Sequence, residues 1–202
     1  MNLPNKLTLL RVILIPFFVF FLMYDKLGAA GVWIALAIFA VASITDFFDG
    51  KIARKYNLIT NFGKFMDPLA DKLLVSSALI CFIELSLLPA WFVIVIIARE
   101  FVISGFRLIA SDNGVVIAAS WWGKFKTVFQ MFLILYFMIL GGIGKVVSWQ
   151  GFALWENTQT GVRISSAWTV AGTILAWAAF LLTVISLIDY LIKNAGVMKQ
   201  QK

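Results

Sequence analysis

Residues 46–54 read DFFDGKIAR and, eight residues further on, residues 63–71 read GKFMDPLAD. On an α-helix, at about 100° per residue, Asp46, Asp49, Gly50, Ala53 and Arg54 fall within roughly 140° of one another. Two carboxylates, two small residues and one arginine then share a face. Asp67 and Asp71, four apart, share a face of a following helix, whose first turn the sequence is expected to open at Pro68. Four ionised aspartates gathered in this way repel one another unless a cation sits among them. Hard oxygen ligands select Mg²⁺, Mn²⁺ or Ca²⁺, and four carboxylates balance the charge of two divalent ions. A two-metal clamp suits phosphoryl transfer, in which the entering and leaving oxygens both need charge stabilisation. Gly50 and Ala53 let a ligand come close to the backbone. Any one of these aspartates, taken alone, reads as well as a solvated loop or cap residue. The set of four, with Gly50, Ala53 and Arg54 interposed, points to a site.

The chain around this stretch has 202 residues, of which 62% are hydrophobic and 13% charged. So little polar surface cannot cover a water-soluble core, which puts the chain in a membrane. Six apolar stretches approach the ~20 residues needed to cross a bilayer. They run over residues 8–24, 30–45, 73–88, 91–110, 128–143 and 167–192. The expected fold is all-α, with six transmembrane helices in a single catalytic domain over residues 1–202. Several runs are short, so their polar ends should project beyond the hydrocarbon or line a cavity. The first has a basic start but no small-residue cleavage site, and is expected to stay as a membrane helix.

Lys6, Arg11, Lys51, Arg54, Lys55, Lys64, Lys72, Arg107, Lys124, Lys126, Lys193, Lys199 and Lys202 flank the spans on one side, against Lys26, Lys145 and Arg163 on the other. By the positive-inside rule both termini are cytosolic. The net charge of +7 serves equally to anchor the chain at anionic lipid and to attract an anionic substrate. No separate basic domain offers itself to nucleic acid. The two cytosolic connections are 46–72 and 111–127, and the long exterior one, 144–166, carries Trp149 and Trp155 as expected interface anchors. Histidine is absent and Cys81 is the only cysteine, which excludes imidazole chemistry, His-ligated metals and an internal disulfide. Catalysis must fall to carboxylates, lysines or hydroxyls.

The pattern D-x-x-D-G-x-x-A-R, eight residues, G-x-x-x-D-x-x-x-D over residues 46–71 resembles the signature of the CDP-alcohol phosphatidyltransferase family, with every fixed position present. The resemblance implies a six-helix membrane fold, usually homodimeric, with its site open to the cytosolic interface. It implies that Asp46, Asp49, Asp67 and Asp71 ligate two divalent cations, Mg²⁺ or Mn²⁺, and that Asp71 is also the general base. Gly50 and Arg54 match positions that contact the CDP portion of the donor, where a planar guanidinium fork suits the diphosphate. Thr60 lies where the family often has a hydroxyl near that donor. Residues 4–11, PNKLTLLR, are similar to the P-N-x-L-T-x-x-R opening of the branch that uses glycerol 3-phosphate. Asn5 and Thr8 would hydrogen-bond the nucleotide of CDP-diacylglycerol, or instead cap the first helix.

Arg99, Glu100 and Arg107 lie on the fourth span, and Gly123, Lys124 and Lys126 open the fifth. Ionisable groups in membrane helices face a cavity or a partner, so Arg99 and Glu100 are open to structural pairing as well as ligand contact. Arg107, Lys124 and Lys126, nearer the cytosolic end, are expected to bind the acceptor's phosphate. The runs ARE at 98–100 and GKFKT at 123–127 also resemble the branch whose acceptor is sn-glycerol 3-phosphate. The implied reaction moves the phosphatidyl group of CDP-diacylglycerol onto that acceptor and releases CMP. Two other readings compete: a sister enzyme acting on phosphatidylglycerol, inositol phosphate or serine, and a divalent-cation transporter, whose carboxylates should lie near mid-membrane. The expected location is a bacterial plasma membrane, with the active site facing the cytosol.

Overall fold

The computed structural model describes residues 3–55, 61–112, 120–143 and 167–194. Among them the chain forms α1 (Leu3–Met23), a short 3₁₀ turn (Asp25–Leu27), α2 (Gly28–Lys55), α3 (Asn61–Glu84), α4 (Ala90–Asp112), α5 (Trp121–Gly142) and α6 (Ala167–Lys193), with no strand. Among the described residues four segments are long and apolar enough to cross a membrane: Lys6–Met23, Asp25–Thr45, Trp121–Gly142 and Val170–Lys193. α3 and α4 carry more charge, with Lys64, Asp67, Asp71 and Lys72 on one and Arg99, Glu100 and Arg107 on the other. The protein is therefore an all-helical membrane protein. Trp149 and Trp155 lie outside the described residues.

The helices divide into two compact units. The first contains α1, α2, α3 and the end of α5 from Met138. Buried residues on α1 recur at helical spacing, at Thr8, Arg11, Phe18 and Leu22, and those on α2 do so at Ala35, Phe39 and Ala42. These two stripes face each other in antiparallel register. A Cβ added at Gly31 would lie 2.6 Å from the Phe21 carbonyl oxygen, the rings of Phe18 and Phe39 are 5.8 Å apart, and Arg11 Nε donates to the Ala42 carbonyl at 3.3 Å. The ten residues back from Phe21 to Arg11 along α1 thus correspond to the eleven forward from Gly31 to Ala42 along α2. α3 packs along α1 through a stripe of Ala70, Leu74, Ala78 and Phe82. The indole of Trp33 on α2 donates to the Gly142 carbonyl at 2.8 Å and ties in the end of α5.

The second unit contains α4, α5 up to Phe137, and α6. α4 and α6 run parallel: Phe92 stacks on Phe180 at 4.7 Å, and further along both helices Arg99 meets Ser186. α5 runs against α6, since Tyr136 donates to the Trp168 carbonyl at 2.7 Å while Gly123 lies beside Ser186. The apolar half of this unit is aromatic, with Trp91, Phe92, Trp177 and Phe180 in mutual contact. The other half is ionic.

Two boundaries differ from expectation. α3 opens at Asn61, so Pro68 lies eight residues inside the helix and does not begin it. A proline there lacks the N–H that would reach the carbonyl of residue 64. α3 also ends at Glu84 instead of running to Leu88, because Ser86 takes a left-handed backbone (φ 54°) ahead of Pro89, whose carbonyl accepts from Phe92 and Val93 at the start of α4.

Candidate active site

α2 extends ten residues beyond Thr45, so Asp46, Asp49, Gly50, Ala53 and Arg54 stand on its last turns. The side chains of residues 46–55, like those of Asn5 and Asp67, lie outside those described. Their helical register is defined. Positions 46, 49 and 53 share the helical phase of Ala35, Phe39 and Ala42. Asp67 and Asp71 occupy adjacent turns of α3, next to buried Ala70, and Asp71 itself is exposed. Only residues 56–60 separate the two helices, a connection that spans at most about 20 Å fully extended. This keeps the opening turns of α3 near the close of α2. Thr60 lies outside the described residues.

The register of α1 brings the other motif to the same place. Phe21 pairs with Gly31, Phe18 with Phe39 and Arg11 with Ala42, so Thr8 falls alongside about residue 45 and Asn5 about one turn further, by the helical rise. Thr8 is buried. Because α1 begins at Leu3, Thr8 is well inside the helix and does not cap it.

Arg11 is the residue that sequence reasoning undervalued. Its place among the flanking charges suggests a solvated side chain, yet it is 1% exposed and reaches the carbonyl of Ala42, one turn before Asp46. The signal was its position three after Thr8, which puts both on one face of α1.

The residues expected to hold the acceptor's phosphate belong to the second unit. Arg107 is exposed on α4, its guanidinium 6.0 Å from the ring centroid of Tyr190. Lys124 is exposed on α5, with its ammonium 4.5 Å over the ring of Trp121, a cation–π geometry. Lys126, by contrast, is buried and forms an ion pair with Glu100 Oε1. The same oxygen accepts from Arg99 Nη1 at 3.4 Å, while Arg99 Nη2 donates to the Ser186 hydroxyl.

Local sequence explains this arrangement. Ser120 is the N-cap of α5: its hydroxyl accepts from the Gly123 N–H at 3.1 Å, satisfying one of the free donors of the first turn. The first turn of α5 lies directly against this pair, since a Cβ at Gly123 would be in van der Waals contact with it, 3.4 Å from Arg99 Nη2 and 3.9 Å from Ser186 Oγ. Among the described side chains no three carboxylate, imidazole or thiol groups converge as a metal site.

The family model of CDP-alcohol phosphatidyltransferases matches residues 1–197. A Bacillus subtilis protein named CDP-diacylglycerol–glycerol-3-phosphate 3-phosphatidyltransferase is 51% identical over 136 residues, which is 62% of this chain and 70% of its own length. Proteins of the same name from Rickettsia felis and Haemophilus influenzae are 37% and 38% identical over 194 and 199 residues, covering 94% of this chain in each case and 93% and 91% of theirs.

Proposed function

We infer that this chain, which belongs to the CDP-alcohol phosphatidyltransferase family, is the enzyme that transfers the phosphatidyl group of CDP-diacylglycerol to sn-glycerol 3-phosphate, giving phosphatidylglycerophosphate and CMP. The observation that carries this reading is the meeting of two motifs in one unit: the register of α1 on α2 sets Asn5 and Thr8 beside the stretch from Asp46 to Arg54. The glycerol-3-phosphate transferases among the relatives support the acceptor.

The donor set near the close of α2 and the start of α3 is four carboxylates with no imidazole or thiolate, and it fits hard divalent cations such as Mg²⁺ or Mn²⁺. Asp46, Asp49, Asp67 and Asp71 would hold two of them, which when bound neutralise charge on the diphosphate oxygens. Arg54 pairs with that diphosphate, Gly50 leaves it room, and Asn5, Thr8 and Thr60 contact the nucleotide. Arg107, Lys124 and Lys126 bind the acceptor's phosphate. Asp71 takes the proton from the acceptor's 1-hydroxyl. That oxygen forms a bond to the β-phosphorus, the bond from phosphorus to the CMP oxygen breaks, and CMP leaves as a stable phosphate without a strong general acid. The exposure of Asp71 suits a base that must meet a water-borne substrate.

In the same reading all six helices span the bilayer, residues 1–202 form one catalytic domain, both termini and the site face the cytosol of a bacterial plasma membrane, and the enzyme works as a homodimer. CMP release by purified protein given Mg²⁺, CDP-diacylglycerol and, in separate tubes, glycerol 3-phosphate, phosphatidylglycerol, inositol phosphate or serine tests the assignment. Release is expected with glycerol 3-phosphate alone; release only with another acceptor sinks it.

A further inference from the structure

The proposed chemistry uses the acceptor's phosphate and the 1-hydroxyl that reacts, and leaves the 2-hydroxyl of glycerol 3-phosphate without a partner. One carboxylate of the second unit suits it. Glu100 on α4 meets two cations, Lys126 from α5 and its neighbour Arg99 at 3.4 Å, and both reach the same oxygen, Oε1. Among the described residues Oε2 has no hydrogen-bond or ion-pair partner. The Glu100 side chain is 20% exposed and that of Lys126 1%, so the pair presents its carboxylate outward.

An ionised carboxylate accepts hydrogen bonds and donates none, so the group that Oε2 suits is a neutral hydroxyl and not a second anion. The hydroxyl of Ser104, one turn along α4, is engaged on the backbone, donating to the Glu100 carbonyl at 2.7 Å. It leaves Oε2 open. Two cations against one carboxylate give this cluster a surplus of one positive charge, so its field does not oppose an anionic acceptor held nearby. The phosphate has its own place further along the same helix. Glu100 and Arg107 are seven residues apart, which puts them on one stripe of α4 and about 10 Å apart along its axis. Arg107 is exposed and forms no ion pair among the described residues. Two long side chains and a three-carbon phosphate bridge that distance together.

We propose that Glu100 is a specificity-determining residue for the acceptor, its Oε2 accepting a hydrogen bond from the 2-hydroxyl of glycerol 3-phosphate while Arg107 holds the phosphate. This rests on the reading of glycerol 3-phosphate as the acceptor. Lys126 and Arg99 fix the carboxylate from behind, and the open oxygen selects an acceptor that carries a hydroxyl beside its reacting carbon.

The test uses the full-length protein in detergent with Mg²⁺ and CDP-diacylglycerol, and follows CMP release with two acceptors. One is sn-glycerol 3-phosphate; the other is 3-hydroxypropyl phosphate, which keeps the phosphate and the reacting hydroxyl but lacks the middle one. Wild type is expected to prefer glycerol 3-phosphate by about tenfold or more in kcat/KM, because the analogue leaves the carboxylate oxygen without its donor. Equal use of the two acceptors overturns the proposal. Glu100→Gln keeps the size and removes the charge that strengthens the hydrogen bond, and is expected to cut that preference by about fivefold or more. A purely structural role for Glu100 would lower kcat/KM for both acceptors alike, and an unchanged preference therefore overturns the assignment. Should Glu100→Gln not fold, Glu100→Asp keeps the counter-charge for Lys126 but draws the carboxylate back by one methylene; a reduced preference is expected and an unchanged one is decisive against. Wild-type protein separates the claims. No glycerol 3-phosphate-dependent CMP release from it removes the functional reading and this inference with it, whereas normal release without discrimination between the two acceptors removes the Glu100 assignment alone.

Discussion

Replacing Gly31 with alanine probes a close approach of α1 and α2, the pair whose register brings the two motifs together. A Cβ at that position would lie 2.6 Å from the Phe21 carbonyl oxygen and 3.0 Å from Leu27 Cβ. The first obstacle is backbone, which cannot swing aside as the end of a long side chain can. Gly105 on α4 is the matched control, because a Cβ there meets nothing within 4 Å. Both substitutions gain helix propensity, worth up to about 1 kcal/mol. At Gly31 overpacking opposes that gain by about 2–3 kcal/mol, the upper part of the usual range since the neighbour is main chain. Gly105→Ala should therefore stabilise by about 1 kcal/mol, and Gly31→Ala should destabilise by about 1–2 kcal/mol. For a chain of this length the difference separates the two unfolding midpoints by roughly 4–12 °C. Tryptophan fluorescence of detergent-solubilised protein during heating reads it directly. A Gly31→Ala midpoint at or above that of Gly105→Ala would refute the close seating of α1 on α2.

Other outcomes follow from the same geometry. Asp71→Asn should reduce CMP release at least a hundredfold, as loss of a general base does, while leaving the unfolding midpoint within a few degrees of wild type; near-normal turnover would remove Asp71 from the mechanism. Chelation of divalent cations should abolish CMP release, and Mg²⁺ or Mn²⁺ should restore it, whereas activity that survives exhaustive chelation would contradict a carboxylate-held metal pair. Arg11→Ala should destabilise by about 2–4 kcal/mol, combining a lost charge-assisted hydrogen bond with a vacated buried volume. Arg11→Lys should lie between it and wild type, and equal unfolding midpoints for all three would show that the α1–α2 seam does not rely on the arginine.

Much of the fold was legible because apolar length is a direct physical requirement of a bilayer. The stretch 167–192 matches α6 to within a residue at each end. Apolar length alone does not locate a helix's polar ends, but short runs imply projecting ones: α2 runs on to Lys55 and α3 starts at Asn61, because a helix continues as long as its backbone is satisfied, whatever its polarity. Pro68 misled because proline at a first turn is the commoner case. The aspartate spacing was readable since it lies within two consecutive helices. The pairing of Glu100 with Lys126 was not, because no spacing along a chain shows which residues of different helices touch. Nor did the sequence show that Arg11 is buried, although its step of three from Thr8 was there to see.

The central claim is that this chain joins glycerol 3-phosphate to a phosphatidyl group. Radiolabelled glycerol 3-phosphate, incubated with the purified protein, Mg²⁺ and CDP-diacylglycerol and then extracted into chloroform, tests it most directly. The account predicts label in the organic phase as phosphatidylglycerophosphate, in step with CMP released and absent when CDP-diacylglycerol is withheld. Label that stays in the aqueous phase while folded protein releases CMP with another alcohol, or releases none, would contradict it.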